Sequence, residues 1–204
     1  MNSDHRFADP GTVLTDLATH FVVQCPQCAG KALIQPVGED RPAAGHRLTC
    51  TACFHAEAPG HWYGAMRASV SVKCRECHTP LRRSAPWDGR WKKLDLHCDH
   101  CGDACAYDAQ LSKQAFHAGL MTDPVFGLPL WLQKEYRSDL FWAYNYEHLT
   151  LLRQYIGAKL RERGIQPRNT IRKNSALLSR LPDFIQRAGN REGLLKLIDN
   201  LEKQ

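Results

Sequence analysis

Eight of the chain's nine cysteines fall into four CxxC pairs, and no other feature limits the possible fold as strongly. The pairs are Cys25/Cys28, Cys50/Cys53, Cys74/Cys77 and Cys98/Cys101. A CxxC turn points two thiolates at one spot, and a second such turn completes a tetrahedron with metal–sulfur distances of about 2.3 Å. The gaps inside each set nearly match, with 21 residues between Cys28 and Cys50 and 20 between Cys77 and Cys98. Such gaps suit a hairpin that leaves one knuckle and returns to the other. The second set follows the first by about fifty residues, close to the unit length of a repeat array. The duplication has a physical reason. A segment of about 45 residues buries too little apolar surface to fold alone, and structural zinc adds on the order of 10 kcal/mol.

The flanks of the pairs carry strand patterns. "HFVVQC" and "KALIQP" are apolar and β-branched around the first knuckle, and "HRLTC" and "KKLDLHC" alternate apolar with polar on the way into the return knuckles. Glycines and prolines (Pro36, Gly38, Pro42 and Gly45; Pro80, Pro86 and Gly89) punctuate the hairpin tips. "HWYGAMRASVSV" joins the two units, and Trp62 and Tyr63 are expected to pack between them.

On these residues the region from about 20 to 110 resembles the zinc ribbons, the small β-domains of transcription factors, polymerase subunits and replication proteins. The run Cys25, Pro26, Gln27, Cys28, Ala29, Gly30 is similar to a rubredoxin-type knuckle with one residue inserted before the glycine. The whole chain resembles the double-ribbon bacterial proteins with a helical tail, most of which have no assigned function. That likeness implies no activity. Two zinc ions per chain are expected, one on Cys25, Cys28, Cys50 and Cys53, the other on Cys74, Cys77, Cys98 and Cys101. Four thiolates close a site, whereas catalytic zinc keeps a position open for water, so the expected role is structural. Cys105, in "CDHCGDACAYDA", falls outside the pairs and reads as a small buried hydrophobe on the strand leaving the site, with a spare ligand or reactive thiol as the alternative. His55, His78, His97 and His100 flank knuckles already complete in sulfur and read as supporting or solvent-facing groups.

Charge divides the chain. Residues 1–123 hold 13 Lys and Arg against 13 Asp and Glu, and residues 124–204 hold 14 against 8, so the back carries the whole net charge of +6. The expected organisation is an arm over 1–19, ribbons over 20–65 and 66–112, a connector over 113–137 and a helical domain over 138–204. The fold class is α+β, two tandem β zinc ribbons followed by a helical C-terminal bundle. Within ribbon two, "RRSAPWDGRWKK" interleaves Arg82, Arg83, Arg90, Lys92 and Lys93 with Trp87 and Trp91. Bases attract phosphate and an indole can stack on an exposed nucleobase, so this hairpin tip is a candidate nucleic-acid contact. A solvated tip with inward tryptophans is the plainer alternative.

Behind the ribbons the period changes. "SDLFWAYNYEHLTLLRQYIGAKLRERG" predicts one helix from Ser138, a cap, to Gly164, a C′ glycine. Its stripes are Trp142, Leu149, Leu152, Ile156 and Leu160, and Leu140, Tyr144, Leu151 and Tyr155. Short helices begin at Asn174, Pro182 and Asn190, with Leu177, Leu181 and Ile185 facing Leu194, Ile198 and Leu201. "DPVFGLPLWLQKEY" is expected to lie as an ordered connector over the ribbon surface. Lys159, Arg161, Arg163, Arg168, Arg172 and Lys173 surround the turn after the long helix. They suit a solvated helix end or a phosphate-contacting surface. Removing zinc is expected to unfold residues 20–110 and to leave helicity in 138–203.

No phosphate loop, HExxH or nucleophile elbow occurs, so an enzyme is not expected. No apolar run approaches the length of about 20 residues that spans a bilayer, and "MNSDHRFADP" lacks a secretory pattern, which suggests the cytoplasm. The leading expectation is a zinc-binding module that contacts a protein or a protein–nucleic acid assembly. The alternatives are a direct nucleic-acid binder using the tip and the 159–173 cluster, and a small immunity or antitoxin-like inhibitor.

Overall fold

In the computed structural model, strand ends coincide with the cysteine pairs. The structure describes residues 6–38, 45–158, 160–162 and 177–204. β1 (Arg6–Ala8) and the single turn α1 (Leu14–Leu17) come first. β2 (Phe21–Gln24) runs into Cys25, β3 (Lys31–Pro36) leaves Cys28, β4 (His46–Cys50) returns, and β5 (Ala56–Glu57) follows Cys53. These four strands form one antiparallel sheet in chain order, with Ala32 opposite Cys50 and Ile34 opposite Leu48. The hairpin between the knuckles is therefore present as the spacing predicts.

The second ribbon is built from the same parts but stacked instead of fused. β6 (Met66–Lys73) and β7 (Pro80–Trp87) form an eight-residue ladder through the first knuckle, and β8 (Lys93–His97) and β9 (Ala104–Asp108) form a second ladder through the return knuckle. β10 (Gln110–Lys113) pairs with the free edge of β6. The two layers enclose Ala68, Val70, Leu81, Leu94 and Leu96, a core of their own. Period-two alternation accounts for it: Leu94 and Leu96 face inward while Lys93, Asp95 and His97 face solvent.

Past the ribbons, β11 (Phe116–His117) and β12 (Leu120–Met121) make a short hairpin. The connector then crosses ribbon one, as its apolar content implies. Phe126, Leu128 and Leu130 are buried with Phe21, Val23, Ile34 and Leu48. Its irregular backbone is satisfied from within. The buried Asp123 carboxylate accepts N–H groups from Val125 (2.8 Å), Phe126 (2.7 Å) and Leu128 (2.7 Å). Burial pushes that carboxyl above the usual range, and the three N–H bonds oppose the rise. Gly127 (φ +74°) permits the closest approach: a Cβ there would sit 2.6 Å from the Gly64 nitrogen. Trp62 and Tyr63 meet this connector, where the sequence suggested a position between the ribbons. The indole of Trp62 covers the Gly64–Gly127 crossing, and Tyr63 donates its N–H to the Phe126 carbonyl (2.7 Å) and its hydroxyl to Glu57 (2.8 Å).

The predicted helix 138–164 is shorter and starts later. β13 (Gln133–Tyr136) and β14 (Asp139–Trp142) form a hairpin about a two-residue turn, with Arg137 at φ +59°, and α2 (Tyr146–Gly157) begins after it. Ser138 lies in that turn and caps nothing; Asn145 is the cap, accepting the His148 N–H at 2.9 Å. β15 (Leu160–Glu162) pairs in parallel with β1. A 3-10 turn (Leu177–Arg180), α3 (Asp183–Gln186) after Pro182, and α4 (Arg191–Glu202) complete the chain. The start at Asn174 and the glycine stop at Gly164 lie outside the described residues.

The helical core is as the stripes predict: Leu149, Leu152 and Ile156 of α2 pack with Leu194, Ile198 and Leu201 of α4 and with Leu177, Leu181 and Ile185. Arg153 ties α2 to α4 through Asp199 (2.5 Å) and Glu202 (2.9 Å). β2 belongs to two cores at once. Phe21 and Val23 face the connector, and Val22 faces the helices with Phe7, Leu132 and Phe141. The first residues are sewn into the same side: Asn145 donates to the Leu17 (2.7 Å) and His20 (3.0 Å) carbonyls.

Candidate metal centres

Each knuckle repeats one local design. The N–H of its first cysteine donates to the carbonyl five residues on: Cys25 to Gly30 (2.7 Å), Cys50 to His55 (2.9 Å), Cys74 to Thr79 (2.9 Å) and Cys98 to Asp103 (2.7 Å). The residue after the second cysteine is left-handed in all four, namely Ala29 (φ 58°), Phe54 (φ 59°), His78 (φ 60°) and Gly102 (φ 78°). The loop thus closes tightly enough to aim both sulfurs at one point. Only Gly102 adopts that conformation without a steric cost, which for other residues is about 1–2 kcal/mol. The first cysteine of each pair is buried (Cys25, Cys50, Cys74 and Cys98), and the second lies nearer solvent.

The eight sulfurs form two groups, Cys25/Cys28/Cys50/Cys53 and Cys74/Cys77/Cys98/Cys101, each with its ligand atoms within 4.8 Å of one another. Opposed sulfurs stand 3.6 Å apart for Cys25–Cys53, Cys28–Cys50 and Cys74–Cys101, and 3.5 Å for Cys77–Cys98. Disulfides need about 2.05 Å. A zinc tetrahedron with bonds of about 2.3 Å has edges of about 3.8 Å, close to what is seen. The donor set fits zinc in its charge as well. Without a cation the four thiols cannot all ionise. The His55 N–H lowers the Cys53 thiol, but burial and the three adjacent thiols outweigh it and push it up to about 12. The same contest, against the Asp103 N–H, puts Cys101 at about 12. One Zn2+ removes that repulsion. Each group therefore fits one zinc ion, two per chain, in sites with no open position.

One supporting contact escapes the sequence. The Thr79 hydroxyl, 3.2 Å from the Cys77 sulfur, and the Thr79 N–H together hold that thiol down at about 6. A hydroxyl two residues past the second cysteine was the available signal. The flanking histidines divide. His78, His97 and His100 are exposed, and His55 lies half-buried 3.8 Å from Glu57. Cys105 is half-buried opposite Leu96 on the inward side of β9 and joins neither group.

The described candidate nucleic-acid residues fall in different surroundings. Trp87 and Trp91 turn toward the ribbon core, where Trp87 donates its indole N–H to the Trp91 carbonyl at 2.6 Å. Arg83 donates to the Asp95 carbonyl and so bridges the two layers. Arg82, Arg90, Lys92 and Lys93 are exposed. Arg161 belongs to β15, while Lys159, Arg163, Arg168, Arg172 and Lys173 lie outside the described residues. Among the described residues, no helix is long and apolar enough to cross a membrane.

The fold and site define a chain with two zinc-ribbon-like four-cysteine centres joined to a helical core. No protein-family model matches the chain, no curated protein matches its sequence and no solved structure matches its fold.

Proposed function

We propose that the chain is a non-enzymatic zinc-stapled module that contacts a protein or a protein–nucleic acid assembly. Zinc here supplies folding free energy and rigid loops, because four thiolates leave it no coordination site for a substrate. The observation that carries the reading is Phe54. This side chain is 87% exposed at the tip of a knuckle, on a left-handed backbone that a glycine would adopt without strain. Two unfavourable features coincide at one residue, and none of the described contacts offsets either. An aromatic anchor entering a partner's pocket offsets both. The other large apolar side chains exposed among the described residues (Val37, Tyr63, Leu111, Phe116 and Leu120) also lie before residue 124, on the ribbon side. The likeness to double-ribbon proteins with a helical tail accords with a binding role and adds no activity.

The test uses zinc-loaded full-length chain as bait in native lysate, with and without nuclease, beside Phe54→Gly. The variant should keep two zinc ions and, with about 1–2 kcal/mol of left-handed strain relieved against about 0.5–1 kcal/mol of glycine entropy, gain stability of up to about 1 kcal/mol, yet lose the captured partner. A Phe54→Gly chain that captures the same partner equally well would refute the assignment of Phe54 as anchor.

A further inference from the structure

The outer face of ribbon two carries a charge pattern that the linear sequence hides. In the β6–β7 ladder, Arg67, Ser69, Ser71 and Lys73 stand opposite Pro86, Ser84, Arg82 and Pro80. Residues directly opposite share a face. The other face is the core, with Ala68 and Val70 buried at 0% and 4% exposure. The outward face therefore presents Arg67, Lys73 and Arg82 among Ser69, Ser71 and Ser84, with no carboxylate. β10 adds only Gln110 and Ser112, opposite Ser69 and Arg67. The six acids of this ribbon lie elsewhere: Glu76, Asp99 and Asp103 in the knuckles, Asp88 in the tip loop, and Asp95 and Asp108 on the outward side of the other layer. None of the three cations has a carboxylate within 4.0 Å among the described ion pairs. Arg67 is instead fixed across the sheet, donating to Ser84 (3.4 Å) and Gln114 (3.4 Å).

We infer that this face seats the phosphate backbone of a nucleic-acid duplex. Three unpaired cations spread over a flat face attract a polyanion, and the short hydroxyls between them can donate to phosphate oxygens without blocking close approach. Arg67 and Lys73 are six residues apart on one strand, about 20 Å, so the cations meet separate phosphates and not one. Single strands are held largely by stacking on aromatic faces. This face has no aromatic group, and Trp87 and Trp91 point into the core. A duplex keeps its bases inside and offers phosphates, which is what the face can take. The inference goes beyond the contact-module reading and uses a surface opposite the core from the tip tryptophans.

The experiment titrates zinc-loaded full-length chain into a fluorescent 20-bp DNA duplex at rising salt, with the single strand as comparison. Three phosphate contacts give a log–log salt slope of about −3, so affinity should fall about 40-fold from 50 to 200 mM salt. Lys73→Ala combined with Arg82→Ala should leave the zinc count at two and reduce that fall to about 3- to 4-fold. The tip variant Arg90→Ala with Lys92→Ala should change it far less. The inference is overturned by absent duplex binding, by an unchanged slope in the face variant, by an equal loss in the tip variant, or by tighter binding to the single strand. If duplex binding is absent while Phe54-dependent capture persists, this inference falls and the contact-module reading stands.

Discussion

Cys25 Sγ lies 3.6 Å from Cys53 Sγ although 28 positions separate the two residues. The pair in ribbon two that corresponds to it, Cys74 and Cys101, has the same separation across 27 positions. Each knuckle, closed by its own backbone hydrogen bond, aims its two sulfurs, and in ribbon one the β3–β4 ladder, with Ala32 opposite Cys50, brings the two knuckles together.

Two zinc ions should therefore accompany the full-length chain through native mass spectrometry. Cys98→Ala should leave one, because Cys98 is buried and lies 3.5 Å from Cys77 in the second group. Cys105→Ala should leave both, at a stability cost under about 1 kcal/mol, since a half-buried thiol loses little on truncation. The opposite pattern, zinc lost with Cys105 and spared with Cys98, would show the ligand register to be wrong.

Thr79 sets how well Cys77 competes for metal. Its hydroxyl is the largest influence holding that thiol down at about 6. Thr79→Val keeps the shape and removes the donor, so the thiol rises and protons compete more strongly at neutral pH. Zinc affinity of the second site should drop about 10- to 100-fold, as for other contacts that support a ligand. A chelator competition assay reads this directly, and an unchanged affinity would remove Thr79 from the site.

His148 makes stability depend on pH. It is buried, accepts the Tyr144 N–H at 3.3 Å and touches the rings of Trp142 and Tyr144. Burial lowers it from 6.5 to about 4. The neutral form is thus favoured in the folded chain. Its contribution is complete above pH 6.5 and is lost as pH falls toward 4, because the unfolded chain takes up the proton first. Wild type should lose stability over that window at up to about 1.4 kcal/mol per pH unit more than His148→Gln. Denaturant midpoints in matched buffers cancel the acid loss of zinc common to both chains. Parallel pH curves for the two would contradict the buried neutral histidine.

The centres were legible in the sequence because a CxxC turn is local: two side chains and the backbone between them determine where the sulfurs point. The stripes Leu177, Leu181 and Ile185, and Leu194, Ile198 and Leu201, were legible for a similar reason, each repeating within one or two turns. The start of α2 was not. Leu140, Trp142 and Tyr144 fit the two helical stripes, but they also alternate, and aromatic residues favour strands. The left-handed Arg137 decides between them, and Asn145 three residues before His148 was the cap signal that Ser138 obscured. The division of "FVV" at 21–23 between two cores could not be read locally, since its partners come from residues 126–130 and 132–201. Nor could the outer face of ribbon two, which appears only once the β6–β7 register places Arg82 beside Ser71.

That division of β2 changes what zinc removal should do. Ribbon two closes its core with residues 68–109 alone, so its metal holds a self-contained unit. Ribbon one lends Val22 and Leu33 to the helical core and Phe21, Val23, Ile34 and Leu48 to the connector. Losing its fold strips one wall from the helices. The expectation that helicity in 138–203 survives complete chelation is accordingly narrowed to the first of two stages. A chelator titration should release the ribbon-two zinc first, with the far-ultraviolet helical signal retained. The ribbon-one zinc should leave at higher chelator, and the helical signal should fall with it. Cys74→Ala should reproduce the first stage, losing one zinc while hydrogen exchange in α2 and α4 stays slow. Cys50→Ala should quicken exchange in both helices. Simultaneous release of the two metals would contradict the two stages, and slow exchange in α2 after both are gone would mean that the helical core stands without ribbon one.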